Sequence, residues 1–389
     1  MKILICGGNG WIGSQVVEYL NLCNDNNDDN IEYILCQSRV DELEKEIDEI
    51  KPTHILSLIG RTHGKIGDKV FSTIDYLEEP GKLVENIRDN LFSPVLLALI
   101  CNKKNIHLTY LGTGCIFEST DLNDSFDENS LPNFFGSSYS VVKGFTDRLM
   151  HMFDNVLNLR IRMPINSSDS SRNFITKITS YEKICSISNS MTVLPELIPI
   201  AIDMMRNNHS GTINLTNPGT ISHNEILEMY KEIVDNDFTW TNFTIEEQNK
   251  ILSSKRSNNK LDTTKLETLY PNVKNIKDAT REVLLKCRKP ATAVLRVVDC
   301  KSLGLESGLE SGLESGLESE LESGLESELE SGLESGLESE LESGLESGLE
   351  SGLESVLESG LESELSEIKK ILPSSIYHNL TNEEPPSPV

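Results

Sequence analysis

The sequence lacks a basic excess, a long apolar run and any close pair of cysteines, and each absence removes a class of protein. Lys and Arg number 35 against 62 Asp and Glu, so no surface for nucleic acid is indicated. No stretch approaches the ~18 apolar residues that a membrane span requires. The eight cysteines, Cys6, Cys23, Cys36, Cys101, Cys115, Cys185, Cys287 and Cys300, are scattered with no Cys-x-x-Cys spacing. That pattern speaks against a disulfide framework or a zinc site and for a reducing compartment. The apolar start, Met1 to Cys6, is too short for a signal peptide and runs straight into glycines. The expectation is a soluble cytoplasmic protein with no metal, no membrane and no nucleic-acid partner.

The acidic charge is concentrated near the C-terminus. Residues 304–363 form 15 tetrads of the type Gly/Glu/Val-Leu-Glu-Ser, with 18 Glu and no Lys or Arg. Without them the formal net charge of −27 becomes −9, that of an ordinary acidic protein. A leucine every fourth residue advances about 400° per step on a helix, so the apolar stripe drifts ~40° per tetrad and keeps no face. Eleven tetrads begin with Gly, each costing a helix ~1 kcal/mol relative to Ala. The segment reads as disordered or a fraying helix that buries no core.

The rest of the chain is rich in alternating strand and helix patterns. Lys2 to Cys6 reads as a buried strand, followed by Gly7-Gly8-Asn9-Gly10-Trp11-Ile12-Gly13 and a helix through Leu22. Strand, glycine turn and helix are the context of a dinucleotide fingerprint. Gly7 permits the turn, Gly10 the approach of a pyrophosphate, and Gly13 close helix packing, with Trp11 and Ile12 on the first helical turn. A structural turn in any α/β protein is the plainer alternative. After a second strand, Gln37-Ser38-Arg39 stands where an NAD-selective site carries an acid. Arg39 suits a 2′-phosphate, so NADPH is expected, with NADH as the alternative. A third strand, His54 to Ile59, ends at Gly60 and His63, where doubly wound sheets bind ligands. His63 has no visible partner and reads as incidental.

Asp25 to Asn30 reads as a polar loop, Leu83 to Cys101 as one long helix containing Asn90, and Ile106 to Leu111 as a strand. Further on, Asn173 to Lys183 is polar with helical spacing, and Asn224 to Val234 reads as a helix beginning after Ser222. Tyr139-Ser140-Val141-Val142-Lys143 places a phenol and an ammonium on one helix face. A nearby ammonium would favour phenolate and make Tyr139 a proton donor and acceptor near neutrality. Thr113 offers a hydroxyl to a substrate carbonyl, and Cys115, two residues on in an extended chain, points to the same side. Tyr-x-x-x-Lys alone is a weak signal, since such pairs are common on solvated helices. The expected fold is α/β, a doubly wound parallel sheet of Rossmann type over residues 1–162. A smaller α/β substrate lobe at 163–289 is partly interleaved with it, then come a linker at 290–303, the tetrads, and a tail at 364–389.

These residues resemble the extended short-chain dehydrogenase/reductases. Within that family the runs Thr113-Gly114-Cys115-Ile116-Phe117-Glu118, Arg160-Ile161-Arg162-Met163-Pro164, Arg172-Asn173-Phe174-Ile175-Thr176-Lys177 and Arg256-Ser257-Asn258-Asn259 are similar to the bifunctional nucleotide-rhamnose synthase/epimerase-reductases of plants. The resemblance covers about residues 1 to 285; the tetrads have no counterpart. It implies 3,5-epimerisation of UDP-4-keto-6-deoxyglucose and reduction to UDP-β-L-rhamnose. It assigns Cys115 as base, Lys183 as opposing acid, Tyr139 as proton donor to the alkoxide, Lys143 as its partner on the nicotinamide ribose, and Thr113 as oxyanion support. Arg256 resembles the family's diphosphate ligand, with Asn173 and Lys177 lining the nucleotide side. It further implies a link to a UDP-glucose 4,6-dehydratase and allows a homodimer. Alternatives are a GDP-fucose synthase or dTDP-rhamnose type of substrate, or a silent cofactor-binding regulatory subunit.

Overall fold

A computed structural model of the chain describes residues 1–25, 31–39, 42–121 and 124–287. The readings for the linker, the tetrads and the tail lie outside the described residues. So does most of the polar loop after the first helix.

In chain order the first elements are β1 (Lys2–Cys6), α1 (Trp11–Asp25), β2 (Glu32–Leu35), α2 (Leu43–Ile50), β3 (His54–Ser57) and a hairpin of β4 (Gly64–Ile66) and β5 (Lys69–Phe71). A 3-10 turn at Ile74–Glu78 leads to α3 (Leu83–Ile87), α4 (Ser93–Lys104), β6 (His107–Thr113), α5 (Ser138–Met150) and β7 (Val156–Ile161). The second half holds β8 (Pro164–Ile165), α6 (Phe174–Thr179), β9 (Lys183–Ile184), β10 (Thr192–Val193), α7 (Leu194–Arg206) and β11 (Gly211–Asn214). It closes with α8 (His223–Ile233), β12 (Thr241–Asn242), α9 (Ile245–Ile251), α10 (Thr264–Leu269) and α11 (Ile276–Cys287).

Six strands form one parallel sheet in the order β11-β7-β6-β3-β1-β2. The chain steps outward from β1 to β2, then returns to build β3 onward on the other side. The crevice between the C-terminal ends of β1 and β3 is therefore the switch point at which such sheets bind ligands. Strand alternation puts Ile3 and Ile5 against α1 and α7, together with Val16, Leu20, Leu194 and Ile198. The opposite face carries Leu4 and Cys6, packed with Ile47, Leu97, Cys101, Leu108 and Tyr110. Each such fully buried aliphatic side chain stabilises by roughly 1.5–3 kcal/mol.

The lobe has its own core around Ile165, Ile178, Ile184, Ile226, Leu227 and Leu284. Its helix α8 starts where the sequence placed it, because Ser222 and Glu225 form a reciprocal capping box, an arrangement worth about 1 kcal/mol. The two halves interleave: α7 covers the main sheet and β11 completes its edge.

Three elements depart from the sequence reading. The long helix from Leu83 is broken by a π turn at Arg88–Phe92. Thr146 Oγ1 donates to the Asn90 carbonyl there at 2.5 Å, a side-chain bond in place of a regular backbone one. The expected helix from Asn173 to Lys183 is shorter, since Asn173 is its N-cap and Lys183 already lies in β9. The β4–β5 hairpin falls on a segment without strand alternation, and Tyr76 lies so close over Gly64 that any side chain there would strike the ring.

Candidate active site

The glycine turn follows β1 directly. Gly7 has φ 86, which favours glycine, and a side chain there would meet the Leu58 carbonyl carbon at 3.1 Å. The turn thus lies against the end of β3, across the switch point. Gly13 is tighter still: a Cβ would press on the carbonyl oxygens of Gly7 and Gly8 and come within 2.6 Å of the Gly8 carbonyl carbon. Gly10 N–H donates to Gly7 O at 3.1 Å, and Ser14 N–H to Gly10 O at 2.8 Å. The backbone N–H groups opening α1 are therefore presented at the mouth of the crevice, an arrangement suited to a pyrophosphate. Trp11 Nε1 donates to Ser168 Oγ at 3.4 Å, tying the turn to the lobe, and Ile12 packs in the core beneath it. Gly60 is exposed at the other rim, its loop held by Asn90, which exchanges hydrogen bonds of 2.9 Å with both backbone groups of Arg61. Arg39 is exposed beyond β2. There the Glu46 carboxylate accepts from the N–H groups of Gln37 and Ser38 at 2.9 Å each.

The reactive side chains gather at the end of β6. Thr113 is its last residue, and Cys115 sits in the turn that follows, with its N–H donating to Thr113 Oγ1 at 3.1 Å. Cys115 is thus in a turn rather than on extended chain, but it packs beside Tyr139, Tyr76 and Leu77 all the same. Helix α5, capped by Ser137, carries Tyr139 and Lys143, which are 8% and 4% exposed.

One expectation fails. Lys143 does not hold Tyr139 towards phenolate in this arrangement. Its ammonium donates to the Tyr110 hydroxyl and lies 4.6 Å from that ring. Burial pushes the Tyr139 phenol well up, with the neighbouring Cys115 adding to the rise and the Thr113 hydroxyl opposing it. Burial also lowers Lys143 to about 8, against the pull of Asp147 and Cys115. Desolvation dominates both groups, favouring the neutral form of each.

Across the crevice the lobe presents cations. Lys177, on α6, is pulled down to about 8 by burial and by the nearby charges of Arg172 and Arg256. Arg256 is paired with Asp75 from the 3-10 turn, and its Nη1 donates to Ser254 O at 3.0 Å. Burial alone would raise the Asp75 carboxyl. Hydrogen bonds from Arg256, Thr73 and Ser254 hold it at about 2 instead. Asn173 is 1% exposed and spends its amide inside the protein, donating to Asn166 O and Ser168 O at 2.9 Å each. Those bonds shape the loop whose Ser168 meets Trp11. Lys183 is exposed on β9, paired in register with Thr241.

No protein-family model matches the chain. Individual relatives do. The L780 protein of Acanthamoeba polyphaga mimivirus is 56% identical over 297 residues, covering 74% of this chain and 99% of that protein. Its crystal structure, described as a UDP-rhamnose synthase, superposes with a TM-score of 0.70. A bifunctional dTDP-4-dehydrorhamnose 3,5-epimerase/reductase of Arabidopsis thaliana is 42% identical over 287 residues, 72% of this chain and 90% of that one. The chain belongs to the nucleotide-rhamnose 3,5-epimerase/4-reductases.

A trifunctional Arabidopsis thaliana family member, which adds a UDP-glucose 4,6-dehydratase, is 41% identical, and the match spans 42% of its length. More distant dTDP-4-dehydrorhamnose reductases share the fold, as with the Yersinia enterocolitica enzyme at 21% identity and a TM-score of 0.58. Among the described residues no helix is long and apolar enough to cross a membrane, and no group of three or more His, Cys, Asp or Glu could hold a metal.

The sequence reading missed Tyr110, Asp75 and Arg172. Tyr110 looks like one more core aromatic of β6 until Lys143 is seen to reach it from α5. Asp75 and Arg172 gain meaning only when the lobe brings Arg256 and Lys177 beside them. Nothing in its local sequence separates Asp75 from an ordinary surface charge, and the run that begins at Arg172 marks the family without assigning that residue a role.

Proposed function

We propose that the protein converts UDP-4-keto-6-deoxy-D-glucose to UDP-β-L-rhamnose by 3,5-epimerisation and NADPH-dependent 4-keto reduction. The observation that carries this reading is the packing of Cys115 beside Tyr139, with Thr113 and Lys143, at the end of a strand adjoining the dinucleotide crevice. A ketone at carbon 4 acidifies carbons 3 and 5, because each carbanion is an enolate. Cys115 takes those protons from one face, and Lys183, on the lobe, returns them from the other. NADPH, when bound, supplies the hydride for carbon 4, and NADH would supply the same group. The glycine turn suits either cofactor, since Gly13 leaves no room for a side chain and the first N–H groups of α1 open towards a pyrophosphate.

Burial serves Tyr139 in this scheme. A phenol that keeps its proton in the free enzyme is ready to donate it to the alkoxide at carbon 4. Thr113 steadies the same oxygen, and Lys143 can leave Tyr110 for the ribose of the cofactor. Arg256, Lys177 and Arg172 suit a diphosphate, Arg256 through its planar fork. The substrate requires a 4,6-dehydratase acting on UDP-glucose, an activity that the trifunctional relatives carry in the same chain. The proposed place of action is the cytoplasm, where both nucleotides are soluble.

Purified protein incubated with NADPH and UDP-4-keto-6-deoxyglucose should oxidise the cofactor and release UDP-rhamnose. Cofactor binding without oxidation would contradict the proposal and favour a silent subunit. The dTDP-linked substrate is the second reading, because the Arabidopsis bifunctional relative is described with it. Faster turnover of the dTDP or GDP sugar than of the UDP sugar would replace the nucleotide assignment.

A further inference from the structure

Two arginines leave the end of β7 side by side, and their surroundings differ. Arg160 and Arg162 are 0% and 1% exposed. Arg160 is neutralised, since Asp147 accepts from its Nε and Nη2 at 2.8 Å each. Arg162 has no carboxylate among the described residues. Its Nη1 donates to Asn259 O and its Nη2 to Ser257 O, both at 2.8 Å, while Nε is buried with no hydrogen-bond partner. A buried guanidinium without a counter-charge is costly, and burial alone pulls its hold on the proton down. The next residue, Met163, has φ 37, a left-handed conformation disfavoured for a side chain of that size. The chain thus accepts both a lone charge and local strain at this one place.

What Arg162 faces gives the reason. Its stem lies over Gly114, where a Cβ would meet Cγ and Cδ at 3.0 Å. Its head is close enough to the Cys115 thiol for the two to act on each other electrostatically. Asn259, whose carbonyl holds Arg162, also donates to Gly114 O at 3.0 Å, so arginine and turn are fastened together. The other groups around Cys115 are Thr113 of β6, Tyr139 and Lys143 of α5, and Tyr76 of the 3-10 turn. Among these the only cation besides Arg162 is Lys143, which is engaged by Tyr110.

We propose that Arg162 is a positioning residue for Cys115, its guanidinium serving as the standing counter-charge to the thiolate that removes protons from the sugar. This rests on Cys115 being the epimerisation base. As an S–H bond forms, the C–H bond at carbon 3 or 5 breaks, and its electron pair passes into the enolate on the carbon 4 ketone. Arg162 keeps its charge throughout and exchanges no proton.

The test is the rate at which iodoacetamide alkylates Cys115, followed by peptide mass spectrometry on the full chain without substrate. Only the thiolate reacts. In Arg162→Gln the rate at pH 7 should fall at least about tenfold, and in Arg162→Lys, which keeps the charge, by less than about threefold. Equal rates in the wild type and a folded Arg162→Gln would overturn the proposal. If Arg162→Gln does not fold, the wild type decides. Its Cys115 rate should change less than about threefold between pH 7 and 9, and a larger rise, about 25-fold over that interval for an ordinary thiol of pKa near 8.5, would overturn the proposal. Alkylation needs no sugar. A Cys115 that responds to Arg162 but catalyses no exchange at carbons 3 and 5 would sink the functional reading and leave this one standing.

Discussion

Two parts of this molecule suit phosphate, and they do so by opposite means. The glycine turn uses no charged side chain; it offers backbone N–H groups and a helix N-terminus, with Gly7 and Gly13 keeping the way clear. The lobe uses side-chain cations, Arg172, Lys177 and Arg256, brought together from α6 and its flanks and from the segment after α9. The first kind of site is rigid and indifferent to pH. The second is crowded with like charge, so its strength depends on protonation and on what Asp75 is holding.

The difference can be broken at four points. The largest effect is expected from Gly13→Ala. The added methyl strikes backbone rather than a flexible side chain, and overpacking of that kind costs about 1–3 kcal/mol before binding is considered. NADPH affinity measured by fluorescence should fall on the order of 100-fold; an unchanged affinity would mean that the cofactor does not use this turn. Next comes Arg256→Met. Loss of a charge-assisted hydrogen bond worth about 1.5–3 kcal/mol should raise the KM for the nucleotide sugar roughly 30-fold. If kcat falls instead while KM stays put, Arg256 acts at the sugar and not at the diphosphate.

The pH dependence separates the two sites further. Lys177 has a folded value of about 8, below the ordinary 10.5. Between these values the unfolded chain holds a proton that the folded chain has released, so this group's contribution to stability improves as pH rises through that window. Anion binding runs the other way, because the charge is lost. UDP affinity by calorimetry should weaken about fivefold from pH 7 to 9, and Lys177→Met should abolish that slope. A slope that survives the substitution would assign it elsewhere. The smallest effect is expected from Tyr110→Phe, which removes the acceptor that holds Lys143 in the free enzyme. NADPH should bind up to about threefold more tightly in the variant, since the ammonium is released for the ribose. Weaker binding would show that Tyr110 supports the cofactor-bound position as well.

The same contrast explains what was legible in the sequence. The turn at Gly7 to Gly13 and the Tyr139–Lys143 pair lie within seven and five consecutive residues, so helix and strand periods suffice to place them. The parallel sheet follows from the strand–helix alternation. The pairings that tune the site were not legible: Arg256 meets Asp75 across 181 positions, Arg162 meets Asn259 across 97, and Lys143 meets Tyr110 across 33. Local pattern also misjudged Tyr139, since the Lys143 spacing was visible and the burial that overrides it was not.

The central claim is that a thiol at residue 115 moves protons on a keto sugar beside a reductase site. It is tested most directly by incubating Cys115→Ala with UDP-4-keto-6-deoxyglucose in deuterated water, without reductant, and following carbons 3 and 5 by NMR. The wild type should take up deuterium at both positions and the variant at neither, while the variant still binds NADPH. Uptake in the variant at the wild-type rate would contradict the account.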